Sequence, residues 1–169
     1  KLLAIGNSFS DDAIEHYLSV LVEANGDTII IGNMYIGGCS LEKHFSNVVN
    51  NSPSYSYRKI VNGIKTVTPN YRLIDAISDE GWDYISFQQA SPLSGQYESY
   101  FPYLDQLINF AKKYSSNPDM EVVLHATSAY AQTSTHAGFA NYDNNQISMY
   151  NAIINASGRV AQKTGIKTV

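Results

Sequence analysis

Cysteine is almost missing from this 169-residue chain: Cys39 stands alone, so no internal disulfide can form and thiol usage does not locate the compartment. Charge is scarce as well. Asp, Glu, Lys and Arg supply 15% of the residues, against the roughly 25% usual in soluble domains, and 13 Tyr and 15 Asn fill the polar quota with neutral hydrogen-bonding groups. A charge-rich disordered chain is excluded. Basic residues number 11 against 15 acidic ones, the net charge is -4, and no window holds more than two adjacent Lys or Arg. Without a phosphate-tracking stripe, nucleic acid is not an expected partner. Long apolar runs are also lacking. Ile29–Ile31 and Val122–Leu124 fall far short of the roughly 18 residues that cross a bilayer, so no membrane span is expected. The four histidines are scattered without a paired-ligand spacing, which argues against a structural zinc; no metal or cofactor is expected. No initiator Met is present either. A chain that opens at Lys1 on a strand-like run points to something removed upstream, a secretion signal or trimmed residues.

What the sequence does have is alternation. Lys1–Gly6 is a short apolar run closed by glycine, and the next segment sets Ile14, Tyr17, Leu18, Leu21 and Val22 on one helical face. Ser10 is a candidate cap, Asp11 and Asp12 suit the first turn, and Asn25-Gly26 ends the helix. Thr28–Ile36 reads as a second strand stopping at Gly37-Gly38, and Ser40 caps a short helix with Leu41, Phe45, Val48 and Val49 on a face. Residues 55–68 read as an inserted β-hairpin turning at Asn62-Gly63, a type I′ signal. Thr68-Pro69 then opens a helix with Leu73, Ile74 and Ile77 inward. Trp82–Gln89 and Glu121–Ala126 read as core strands, separated by a helix with Leu104, Leu107, Ile108, Ala111 and Tyr114 on its face. A long helix from about Asn144 to Lys163 is expected to bury Ile147, Tyr150, Ile154 and Val160, and Gly165–Val169 begins a further strand.

Strands alternating with helices predict an α/β fold, a parallel sheet covered on both faces, in one domain over residues 1–169. In such a fold functional groups gather beyond the carboxyl ends of the strands. Three polar clusters fall there: Gly6-Asn7-Ser8-Phe9-Ser10, Gly37-Gly38-Cys39-Ser40 and Gln88-Gln89-Ala90-Ser91. Ser8 sits between strand and helix, where free N–H groups favour an anion forming beside its oxygen. Glycine at 37 and 38 lets backbone approach a ligand, and a Gln amide can add a donor. Ser8 also suits plain capping, the glycines a tight turn, and the glutamines ordinary strand ends.

The block Gly6-Asn7-Ser8-Phe9-Ser10 on the first strand resembles the nucleophile block of the SGNH (GDSL-like) hydrolase superfamily. The resemblance implies a three-layer α/β/α flavodoxin-like fold and a serine esterase without a metal, acting on acyl or acetyl groups, often on carbohydrates. Carried over by position, Ser8 is the nucleophile, Gly38 the oxyanion glycine, and Gln89 stands where the third block supplies an asparagine. Asn7, Gln88 and His44 are the candidate substrate contacts. The departures resemble bacterial branches of unknown function. Asn7 replaces the aspartate of Gly-Asp-Ser, Gln88-Gln89-Ala90-Ser91 replaces Gly-x-Asn, and the Asp-x-x-His block does not occur. The chain is therefore expected to be incomplete at its C-terminus, with the Asp and His of the triad beyond Val169, and inactive by itself. Among internal bases, His125, His136 and His44 are the alternatives. Tyr97, Tyr100 and Tyr130 are candidate sugar-facing aromatics near the rim. The partner implied is a small-molecule or carbohydrate ester, and the resemblance to exported bacterial esterases implies a periplasmic, surface or secreted location. The rival reading is a carbohydrate-binding module that keeps the fold without a working base.

Overall fold

The apolar runs assemble, in a computed structural model describing residues 1–169, into one seven-stranded sheet. Strand β1 (Leu2–Gly6) lies between β2 (Ile30–Tyr35) and β5 (Tyr84–Gln88), both parallel to it. Beyond β5 come β6 (Glu121–His125) and β7 (Lys167–Thr168), also parallel. On the opposite edge β3 (Tyr55–Val61) and β4 (Ile64–Tyr71) form the antiparallel hairpin. Its turn residues Asn62 and Gly63 both have positive φ, 51° and 73°, as a type I′ turn demands. The parallel strands run in the order β2-β1-β5-β6-β7, the doubly wound arrangement of flavodoxin-like sheets.

Side-chain alternation along β1 sorts the core into two faces. Leu3 and Ile5 join a large cluster with Leu41, Ile77, Trp82, Phe87, Leu104, Leu107 and Val160. This face is covered by α2 (Leu41–Val49), α3 (Leu73–Asp79), α4 (Tyr103–Tyr114) and α5 (Gln146–Thr164). Ala4 turns the other way and packs with Ile14, Ile31 and Ile60 under α1, which runs through Ser8–Ser10, Asp11–Leu18 and Ser19–Ala24. Between α1 and β6 lies a groove of about 270 Å³ lined by Leu2, Ile14, Leu18, Ser86, Val123 and His125.

Several boundaries differ from the sequence expectation, each for a local reason. The middle of α1 is π-helical, and its wider turns bring Ile14 and Leu18 inward while Tyr17 and Leu21 turn to solvent, 60% and 66% exposed. Asn7, not Ser10, caps this helix: its side chain accepts the Phe9 N–H at 3.3 Å, while Ser10 is buried inside the first turn and donates to the Asn7 carbonyl and Asn33 Oδ1. Thr68-Pro69 belongs to β4, and α3 starts after Arg72. In α5 the inward stripe is Met149, Ile153, Ala156 and Val160, whereas Ile147, Tyr150 and Ile154 are exposed. Val49 of α2 is exposed too, while Leu41 is fully buried.

A buried carboxylate that composition did not suggest ties α1 to the hairpin. The Glu15 side chain is 1% exposed, accepts from Asn33 Nδ2 at 2.5 Å and Arg58 at 3.2 Å, and pairs with Lys65. Such a charge is tolerable only with partners of this kind, and removing one of them leaves it uncompensated. No helix is long and apolar enough to cross a membrane.

Candidate active site

The crossover after β1 leads to β2 on one side and the crossover after β5 leads to β6 on the other, so a crevice opens between β1 and β5, where the strand order reverses. There the chain forms a cleft of about 620 Å³. Its floor and near wall come from the β1 end (Asn7, Ser8, Phe9) and from the turns after β2 (Gly38, Ser40) and β5 (Ala90, Ser91, Pro92, Leu93). Tyr130 and His136, from the loop after β6, close the far side. No Asp, Glu, Lys or Arg lines it.

Ser8 is exposed at the first position of α1, and its hydroxyl makes no hydrogen bond to another protein group. A first-turn N–H has no intrahelical acceptor, so the Ser8 amide and the positive end of α1 face the same space as the hydroxyl. Across the cleft Gly38 occupies a turn closed by Cys39 N–H to the Ile36 carbonyl at 3.2 Å. Its φ of 62° is left-handed, a conformation that favours glycine, and a Cβ there would meet nothing within 4 Å. The Gly38 N–H donates to no protein acceptor.

The other candidates turn away from the opening. Asn7 is 1% exposed; its amide donates to the carbonyls of Cys39 at 3.1 Å and Gln89 at 3.4 Å, so it fastens the three strand ends together. Gln88 accepts the Asn7 N–H at 3.3 Å and lies 3.2 Å from His125 Nδ1, on the α1 side of the sheet. Gln89 accepts from Leu41 N–H at 3.1 Å and Ala90 N–H at 2.8 Å, and donates from Nε2 to both oxygens of Ser99. That amide has no N–H left for an oxyanion, unlike the arrangement expected of it.

His44 is fully buried, stacked on Tyr55, with Nδ1 2.9 Å from the Tyr55 hydroxyl. Burial pushes its pKa down to about 3, which keeps the ring neutral, and it does not line the cleft. Neighbouring Cys39 is 3.6 Å from the same nitrogen, but burial pushes its thiol up to about 12, so no thiolate pair forms. His125 is held below its ordinary pKa by burial. His136 alone among the histidines borders the cleft. Its Nδ1 accepts the Gly138 N–H at 3.0 Å, and no carboxylate orients it. No group of three His, Cys, Asp or Glu side chains is placed to hold a metal ion.

The three polar clusters read from the sequence supply Asn7, Ser8, Phe9, Gly38, Ser40, Ala90 and Ser91, and Tyr130 and His136 are also candidates, but Pro92 and Leu93 of the turn after β5 are not. The signal for that turn, a Ser-Pro pair just after a strand, was present in the chain.

The family model described as "Domain of unknown function (DUF4886)" matches residues 1–169. A DUF4886 family protein of known structure from Bacteroides uniformis is 51% identical, with a TM-score of 0.94 over 98% of this chain and 64% of that one. The chain therefore spans about 64% of that relative's length. A protein from Slackia heliotrinireducens described as a candidate SGNH hydrolase is 18% identical, with a TM-score of 0.62 over 99% of this chain and 76% of that one. An extracellular lipase from Streptomyces rimosus is 10% identical, with a TM-score of 0.51 over 99% and 78% of the two chains. At such identities the likeness speaks for the fold. No curated protein matches the sequence.

Proposed function

The chain belongs to the DUF4886 family and has the fold of the SGNH hydrolases, and from that premise we propose that it is the nucleophile-bearing part of a serine ester hydrolase. The observation that carries the reading is Ser8 itself. Its unpaired hydroxyl stands at a helix N-terminus, in the crevice at the strand switch point, with the free N–H of Gly38 lining the same cleft. A carbonyl carbon seated against Ser8 Oγ would put its oxygen between the Ser8 and Gly38 amides, donors fixed in place before charge develops. Ser8 attacks, the acyl group passes to its oxygen, the alcohol leaves, and water releases the acid.

This assignment drops the Gln89 amide from the oxyanion hole. It also asks who takes the Ser8 proton. A serine at its ordinary pKa is a weak nucleophile, and none of the four histidines stands in a carboxylate-oriented arrangement beside Ser8. We therefore assign the proton to a histidine outside residues 1–169, oriented by an aspartate in an Asp-x-x-His segment. The substrate is a short acyl ester, such as an acetyl ester, of a carbohydrate, and the protein acts outside the cytoplasm.

The test is hydrolysis of p-nitrophenyl acetate by the full-length gene product and its Ser8→Ala form. The proposal expects an acyl-enzyme burst in the first and a loss of about three orders of magnitude or more in the second. Equal rates overturn it. Undiminished sugar binding by a wild-type protein that turns over no ester favours the binding-module reading instead.

A further inference from the structure

The far wall of the cleft is built more firmly than a loop needs to be. It lies in the stretch between β6 and α5, yet Phe139 and Tyr142 are buried against Met149 and Ile153 of α5 as a small core of their own. Tyr130 packs on that core, its ring edge-on to Phe139 at 5.7 Å and its N–H 3.3 Å from the Met149 sulfur. His136 lies beside Tyr130, ring centres 4.9 Å apart and planes inclined by 35°. A second set of contacts fastens the wall to the turn after β5. The Pro92 carbonyl accepts from Asn141 Nδ2 at 2.9 Å and from the Tyr142 hydroxyl at 3.2 Å, and the Gly95 N–H donates to that hydroxyl at 2.9 Å. Gly138 allows the approach: a Cβ there would lie 2.6 Å from Pro92 Cβ and 3.2 Å from His136 Nδ1.

The Gly138 contact also decides what His136 can do. Because Gly138 N–H donates to Nδ1, the neutral ring carries its proton on Nε2. Nε2 makes no protein hydrogen bond, so His136 offers a donor and not a base. The Tyr130 hydroxyl is unpartnered as well, and its ring is half-buried.

We propose that Tyr130 and His136 form the subsite for the alcohol part of the substrate, a neutral sugar ring, with Tyr130 as stacking face and His136 Nε2–H as donor to a sugar oxygen. This rests on the ester-hydrolase reading of Ser8. Three features select the chemistry. No charged side chain lines the cleft, so beside Tyr130 and His136 a charged alcohol part would find no ion-pair partner. Hydroxyls of Ser40 and Ser91 add donors and acceptors suited to a polyol. An amphipathic aromatic surface with a polar tip matches a ring that has apolar C–H faces and a hydroxylated edge. The volume lies within the usual range for small-molecule sites, roughly 300 to 1,000 Å³.

The test compares two acetyl esters on the full-length gene product: a methyl glycoside carrying one O-acetyl group, and p-nitrophenyl acetate, which has no sugar. Tyr130→Ala and His136→Ala are each expected to raise KM for the acetyl glycoside about tenfold, the equivalent of one lost hydrogen bond or ring contact, with a clearly smaller loss of kcat/KM on p-nitrophenyl acetate, which has no sugar hydroxyls to meet. Tyr130→Phe and His136→Gln, which keep the face and the N–H, should restore most of the loss. Equal losses on both esters, or none on the glycoside, overturn the subsite while leaving Ser8 chemistry intact. If Ser8→Ala spares p-nitrophenyl acetate turnover, the parent reading fails instead. Binding of the deacetylated methyl glycoside, followed by NMR line positions, reads the subsite without turnover. It should persist in Ser8→Ala and weaken about tenfold in Tyr130→Ala; its absence from the wild-type protein overturns the proposal.

Discussion

Two sets of polar residues meet at the rim of the sheet, and they are spent differently. Asn7, Gln88 and Gln89 are each 1% exposed, and every oxygen and nitrogen of their side chains has a partner within the chain. Ser8, Gly38 and His136, within a few residues of them or across the cleft, are exposed and keep a hydroxyl, an amide and a ring N–H without protein partners. Buried polar groups must be satisfied inside, so the amides became the frame. The groups left unsatisfied face the cleft, where a ligand can complete them. What distinguishes the two sets is where their polar groups point: the amides turn into the chain, while the hydroxyl, the backbone N–H and the ring N–H face the cleft.

Substitutions should break this contrast in graded steps. Asn7→Ala strands the Cys39 and Gln89 carbonyls in the interior, and we expect a loss of about 2 to 4 kcal/mol, seen as a fall in Tm of about 5 to 15 °C. Gln89→Ala releases the Leu41 N–H and the Ser99 contacts together and should cost about 2 kcal/mol in urea titrations. His44 supplies a pH dependence. Its pKa is near 3 folded and 6.5 in the free residue, so between those values the unfolded chain binds a proton that the folded chain does not. Stability therefore falls as pH drops below about 6.5, by up to about 1.4 kcal/mol per pH unit from this ring. His125, shifted the same way by burial, adds to the slope, so His44→Phe should flatten but not abolish the decline measured from pH 6.5 to 5. Gly38→Ala meets no steric contact but forces a left-handed φ, and should cost about 1 kcal/mol. Ser8→Ala should change stability by less than about 0.5 kcal/mol, because the hydroxyl holds nothing in place. A large loss on Ser8→Ala, or none on Asn7→Ala, would erase the distinction.

Much of the frame was legible because local patterns carry it. The short apolar runs of β1 and β6, the Asn62-Gly63 turn, and the stripe Leu104, Leu107, Ile108 and Ala111 are statements about neighbours along the chain. The face of α5 was not, since apolar residues ring that helix and periodicity cannot choose between the Ile147, Tyr150, Ile154 stripe and the one built on Met149, Ile153 and Val160. At the site the sequence pattern located the strand ends that carry Ser8 and Gly38. It could not orient Asn7, Gln88, Gln89 or His44, because their partners, such as Cys39 for Asn7 and Leu41 for Gln89, lie 32 and 48 residues away and are set by the fold alone.

The most direct test of the central claim is covalent. The full-length gene product, treated with a fluorophosphonate and digested for mass spectrometry, should carry one phosphonyl group on the peptide containing Ser8, and the Ser8→Ala form should carry none. A label on any other residue, or an undiminished label in Ser8→Ala, would contradict the assignment of this hydroxyl as the nucleophile.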